Sequence, residues 1–187
     1  MDKTYWHYFL SLEQDFIKTT DYVEVSGEND KTFSIRYLQL ILSVGSEVDV
    51  VMKLLCGRIN PKKVFKRSDM DEYRKVILGV YPNFFDIGIP IHRYEILIRP
   101  WKEWEKGANP DWWHAYNDLK HERNIYFDKA NLENTIASLA GLFGSLLYLY
   151  KVTNAEAKLN PWSIIFDCKG SPGNLLIDSI IKLPDFP

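Results

Sequence analysis

A chain of 187 residues, 46% hydrophobic and 26% charged, sits inside the globular range and away from the low-hydrophobicity, high-charge regime of disordered chains. A formal net charge of −2 excludes a protein-wide cationic field, so any polyanion site has to be a local patch. The lone cysteines Cys56 and Cys168 offer neither a disulfide framework nor a zinc motif. The start "MDKTYWHYFLSLEQDF" lacks the features of a secretion signal, and no segment reaches the roughly 20 uninterrupted apolar residues of a membrane span. One soluble, cytoplasmic domain over residues 1–187 is expected, with no metal, no cofactor and no membrane association.

In chain order, "TYWHYFLSLEQDFI" places Tyr5, Phe9, Leu12 and Phe16 on one stripe and predicts a first helix over 4–17. "YVEV" then reads as a short strand or an extended connector, and "SGENDKT" as a turn. The strongest helical pattern is "FSIRYLQLILSVGSEVDVVMKLLCGRIN". In it Ile41, Val44, Val48, Val51 and Leu55 recur at three and four, Thr32 or Ser34 is placed to cap the start, and Gly57 with Pro61 to close the end. Its acids divide. Glu47 falls among apolar neighbours on the wheel, whereas Asp49 can pair with Lys53 four residues on. The basic run "NPKKVFKR" at 60–67 reads as a solvated inter-helix loop.

"KRSDMDEYRKVILGVYP" predicts a third helix with Ser68 as cap and Pro82 as stop. Apolar and polar residues alternate in "NFFDIGIPIHRYEILIRP" among prolines, predicting a small extended or β-hairpin excursion near 84–99. Trp101, Trp104, Trp112 and Trp113 then read as a satellite hydrophobic cluster. "NPDWW" opens a fourth helix with Asn109 as cap and Pro110 in the first turn. A fifth runs from Asp128 or Asn131 to Lys151, its Gly141 and Gly144 marking close helix approach. "NAEAKLNPWS" and "NLLIDSII" form a non-helical strap over about 155–187. The fold class is mainly α, a bundle of four to five helices with the hairpin as its β component.

The chemistry concentrates in the fourth helix, "DWWHAYNDLKHERN". Trp113, Asn117, Lys120, His121 and Asn124 share one face, beside the packing face of Trp112, Tyr116, Leu119 and Arg123. His121 can carry a proton near neutral pH, Lys120 and Arg123 can hold phosphate oxygens, Asn117 and Asn124 can orient either, and Trp113 and Tyr116 can meet a base. That equipment suits metal-independent RNA cleavage, and equally a structural polar seam. Glu47 is the candidate counter-ion from the second helix, or a polar clasp between helices two and four. No P-loop, GxGxxG, HExxH or GxSxG occurs, and His7, His92, His114 and His121 contain no i, i+4 pair.

"WWHAYNDLKHERNIYFDKANLENTIASLAGLFGSLLYLY", with "SIRYLQLILSVGSEVDVVMKLLC" upstream, resembles members of the HEPN helical-bundle superfamily, particularly small bacterial and phage proteins with a YNxxKHxR helix. The resemblance covers roughly residues 33–151. It implies a helical bundle, often dimeric, in a conflict or defence system, either a ribonuclease or a non-catalytic relative. The superfamily signature is an Arg followed four to six residues later by a His. Here the order is reversed, His121 before Arg123, and no histidine follows. On an ideal helix two residues diverge by about 200°, so a dimer groove or a second helix is expected to complete any catalytic site.

Three functions therefore stand open. The first is an RNA-directed HEPN-like protein with His121, Arg123, Asn117, Lys120 and Glu47 as catalytic candidates and Trp113, Tyr116 and Asn124 as substrate contacts. The second is a non-catalytic helical interaction or dimerisation subunit whose partner is a second copy or another protein. A small-molecule or nucleotide binder is the third.

Overall fold

The computed structural model describes residues 3–153 and 159–167, and within them the chain is mainly helical with one two-stranded sheet. The elements are α1 (Thr4–Thr19), α2 (Ile35–Ile59), α3 (Met70–Leu78), β1 (Ile89–Ile91), β2 (Ile96–Ile98), α4 (Asp111–Tyr126) and α5 (Leu132–Thr153). The strands form the expected hairpin, antiparallel with Ile89 opposite Ile98 and Ile91 opposite Ile96. "YVEV" is an irregular connector, and "NLLIDSII" lies outside the described residues.

Helix α5 is the axis of the bundle. Leu139, Leu142, Phe143, Leu146 and Leu147 are wholly buried, and so are the polar Thr135, Ser138 and Ser145. Those three hydroxyls donate to carbonyls three or four residues back, which satisfies them without a partner helix. By length and composition α5 could also cross a membrane, but most of its apolar surface is covered by protein, above all by α2. The broad apolar face of α2 answers it, with Ile41, Val44, Val48, Val51, Met52 and Leu55 buried.

Local signals set the helix ends, with three shifts from expectation, the first being that α2 runs through Gly57 to Ile59 and ends at Asn60. Ser34 accepts from the Tyr37 N–H at 3.1 Å as predicted, and Asn131 caps α5 by accepting from Asn134 N–H at 3.0 Å. The cap of α3 is Asp69, accepting from Glu72 N–H at 2.9 Å, not Ser68; the carboxylate at the helix start has the dipole in its favour. Helix α4 starts directly after Pro110 with no side-chain cap, because Asn109 instead accepts from Arg74 at 3.5 Å. Nor are the tryptophans a satellite. Trp101, Trp104 and Trp112 belong to the main core, packed with Phe84 and Tyr148.

The described part of the strap, 159–167, is held by a device the sequence did not suggest. Glu13 on α1 is wholly buried, and its carboxylate accepts from the Ser163 hydroxyl, Ile164 N–H (3.1 Å) and Ile165 N–H (3.1 Å). Ser163 Oγ in turn accepts from Phe166 N–H, and the Trp6 indole donates to the Pro161 carbonyl at 2.8 Å. A buried carboxylate is costly unless such donors surround it. Glu13→Ala leaves those donors unpaired and should lower unfolding free energy by about 2–3 kcal/mol, with Glu13→Gln losing less because its amide oxygen still accepts. Urea denaturation of the three proteins measures this; equal midpoints would show that the clasp contributes nothing.

Candidate functional site

Helix α4 is seated by two aromatic rings set against glycines. A Cβ at Gly45 of α2 would lie 2.3 Å from the Tyr116 ring, and one at Gly141 of α5 would lie 2.9 Å from the Trp112 ring. Only glycine lets the backbone and ring approach so closely. Trp112 also donates its indole N–H to the Pro100 carbonyl at 2.7 Å, fixing the rotation of the helix. Leu119 and Ala115 complete its buried face. Downstream, Ser34 N–H bonds to Ala130 O and Leu132 N–H to Thr32 O, so the α4–α5 junction is stitched to the start of α2.

With α4 so placed, an open cleft of about 340 Å3 lies between it, α2 and the start of α3. Helix α4 contributes Trp113, Tyr116, Asn117 and Lys120, with Asn109 just before it. Asp49 of α2 and Ser68, Asp69, Met70 and Asp71 at the start of α3 line the opposite side. The volume falls in the roughly 300–1,000 Å3 range of small-ligand pockets. Trp113 and Tyr116 pack ring to ring at 5.0 Å, and the Lys120 ammonium lies 5.5 Å from the Tyr116 centroid. Asn117 donates to the Trp113 carbonyl at 3.0 Å, which leaves its oxygen with no protein donor among the described residues.

Asp49 ties α2 to α3 within the wall opposite α4. It pairs with Lys53, the i, i+4 contact that its spacing predicted, and accepts from the Tyr73 hydroxyl at 2.8 Å. The same hydroxyl reaches the Ser68 carbonyl at 3.1 Å, so α3 and the loop before it are anchored to α2 at the cleft. Burial, reinforced by Asp49, pushes the Tyr73 phenol far up, and it serves as a donor only. Burial also pushes the Cys56 thiol up to about 12, which removes it as a nucleophile.

Of the eight residues singled out in sequence, the cleft gathers four: Trp113, Tyr116, Asn117 and Lys120. His121, Arg123 and Asn124 are exposed and make no hydrogen bond or ion pair with any described residue. Every residue from Lys120 to Ile125 is exposed, so this turn of α4 is solvated on all sides. The helix breaks within it at Glu122 (φ −136°, ψ 41°), between His121 and Arg123. Their 200° separation on an ideal helix therefore does not carry over.

Glu47 does not join this group as a counter-ion. It is half-buried, forms no ion pair with Lys120, His121, Arg123 or another described residue, and does not line the cleft. The acid facing the seam is Asp49. Asp69, Asp71 and Asn109 were also missed, because helix spacing says nothing about which loop lies opposite a helix.

Burial alone raises the Glu47 carboxyl pKa above its ordinary value. A raised acid pKa favours the folded state while the group is neutral, below its unfolded value, and this contribution is lost as pH rises through the folded value. Glu47→Gln should thus melt higher than wild type at pH 7, the gap closing as pH falls below about 4.5, the ordinary Glu value; a pH series of melting curves reads it. Gly45→Ala should cost about 1–3 kcal/mol through overpacking against Tyr116, visible as a lower melting temperature. Comparison with family models, with curated proteins and with solved structures returns no match, so the geometry and the sequence resemblance carry the functional reading.

Proposed function

We propose that this protein is a HEPN-like helical bundle of a bacterial or phage conflict system that acts on RNA through α4. The observation carrying the reading is the open cleft beside Trp113, Tyr116, Asn117 and Lys120, continued by an exposed turn in which His121, Arg123 and Asn124 have no hydrogen-bond or ion-pair partner among the described residues. A structural seam would be closed and paired; this one is open. Unstacked bases are recognised by aromatic faces and polar edges, and phosphates by Lys and Arg, so the residue types match single-stranded RNA. In cleavage, His121 would take the ribose 2′-hydroxyl proton as O2′ attacks phosphorus and Lys120 and Arg123 stabilise the charged phosphorane; the P–O5′ bond breaks, the 5′-oxygen takes a proton from water, and a 2′,3′-cyclic phosphate is left, with no metal required. A second copy across the broken turn of α4 would enclose the exposed His121.

A second reading, a non-catalytic dimerisation or partner-binding subunit, is favoured by apolar side chains exposed near the same end of α4. Ile125 is 62% exposed and Ile35 67%, and the exposed Phe33 meets Phe127 edge-on at 5.6 Å. Surfaces of this kind mark protein contacts.

Incubation of the purified protein with total RNA in EDTA, beside His121→Ala, separates the readings. RNA-directed catalysis predicts cleavage that falls by about 100-fold or more in the variant, the size of a lost general base, with unchanged circular dichroism. Cleavage equal in both proteins would remove His121 from the mechanism. Neither cleavage nor RNA binding, together with a dimer that Ile125→Glu dissociates in sedimentation, would establish the second reading instead.

A further inference from the structure

The cleft carries a feature at odds with simple phosphate binding: three of its lining residues are aspartates, against one lysine. Asp49 is neutralised by Lys53, and Asp71 pairs with Arg74 at 3.0 Å. Asp69 has no cation partner among the described residues and uses one oxygen, Oδ1, to cap α3. Three acceptors thus stand without protein donors among the described residues: Asp69 Oδ2, Asp71 Oδ2 and the Asn117 side-chain oxygen. Two donors accompany them, the Lys120 ammonium and the Asn109 amide nitrogen, whose own oxygen is taken by Arg74.

Cations flank the cleft along the chain on both sides. Lys66 and Arg67, exposed and without ion pairs among the described residues, directly precede Ser68; Arg123, also exposed, follows Lys120 by three residues. The cleft itself thus offers an aromatic ring and mainly acceptors, the exposed carboxylates of Asp69 and Asp71 among them. Among the four RNA bases only guanine presents two adjacent donors, N1–H and the N2 amino group, on its Watson–Crick edge, with the O6 acceptor beside them. Adenine and cytosine pair one donor with one ring-nitrogen acceptor, and uracil sets a single donor between two carbonyls.

We infer that the cleft reads guanine in single-stranded RNA, with the base against Trp113, which the buried Tyr116 ring backs. Asp69, Asp71 and Asn117 take its N1–H and N2 amino protons, and Asn109 or Lys120 meets O6. The inference rests on the RNA reading above and adds to it a base preference and the residues that set it. The aspartates, adverse to a polyanion in general, become the source of selectivity. The basic run at 60–67, a solvated loop by its sequence, becomes one rim of the site.

The test is fluorescence anisotropy of the full chain with short 2′-O-methyl oligouridines, which resist cleavage, carrying one central guanine, adenine or inosine. The guanine probe should bind about tenfold or more tightly than the adenine probe, the discrimination of one good bidentate contact. Inosine, lacking the N2 amino group, should fall between them. In Asp69→Asn/Asp71→Asn the adenine probe should bind better, as repulsion falls, while the guanine-to-adenine ratio drops toward one; asparagine still caps α3. A purely electrostatic role would strengthen all probes alike and leave the ratio unchanged, which overturns the inference. Equal binding of all three probes by wild type overturns it too and leaves the RNA reading standing. Binding of none overturns both.

Discussion

The contact on which the site depends is the Tyr116 ring lying against the backbone of Gly45. A side chain at position 45 would occupy the space the ring fills, and Trp112 repeats the arrangement against Gly141. One helix is thereby clamped to both α2 and α5 by two flat rings, at positions one helical turn apart. Such contacts are stiff: interiors are packed near crystal density, so a ring wedged on a backbone has little room to move. Trp113, half-buried beside Tyr116, inherits that fixed position and forms the aromatic wall. The α4 wall of the cleft is therefore a consequence of core packing.

The opposite wall is held by polar contacts of another kind. Tyr73 reaches both Asp49 and the Ser68 carbonyl, and Asp69 closes the first turn of α3. The acidic residues of the cleft thus have structural duties, and two of them carry cation partners. What remains without a protein donor among the described residues is a single oxygen on Asp69 and on Asp71, and the oxygen of Asn117. By residue type the cleft is acidic; by its uncommitted atoms it is a surface that accepts hydrogen bonds beside one lysine. Beyond the cleft, α4 loses its helical geometry at Glu122 and all its cover from Lys120 to Ile125. Within this exposed turn Ile125 is an apolar side chain in solvent, while Lys120 lies over the Tyr116 ring.

Much of the architecture was legible from periodicity. The stripes on α1, α2 and α5, the hairpin among prolines and the Ser34 and Asn131 caps are local signals, and the structure realises them where they stand. Errors arose where neighbours compete for one role. Asp69 outdid Ser68 as the cap of α3 because a carboxylate meets the helix dipole as well as the free N–H. Asn109 left its capping position for Arg74. The tryptophans read as satellites are part of the main core because the hairpin and the segment after it fold back onto α5.

By itself, the sequence determined the helices, their buried faces and the gathering of Trp113, Asn117 and Lys120 on one face of α4, since these follow from spacing along a single rod. Tertiary structure alone decided what faces that side. Asp49 rather than Glu47 looks across the cleft, although both lie on α2 two residues apart, and Glu13 rather than any motif residue holds the strap. The physical reason is common to both: a helical wheel fixes a side chain's direction about its own axis, while the group it meets depends on how far and at what angle a second element packs. Here the missing side chains of Gly45 and Gly141 set that distance.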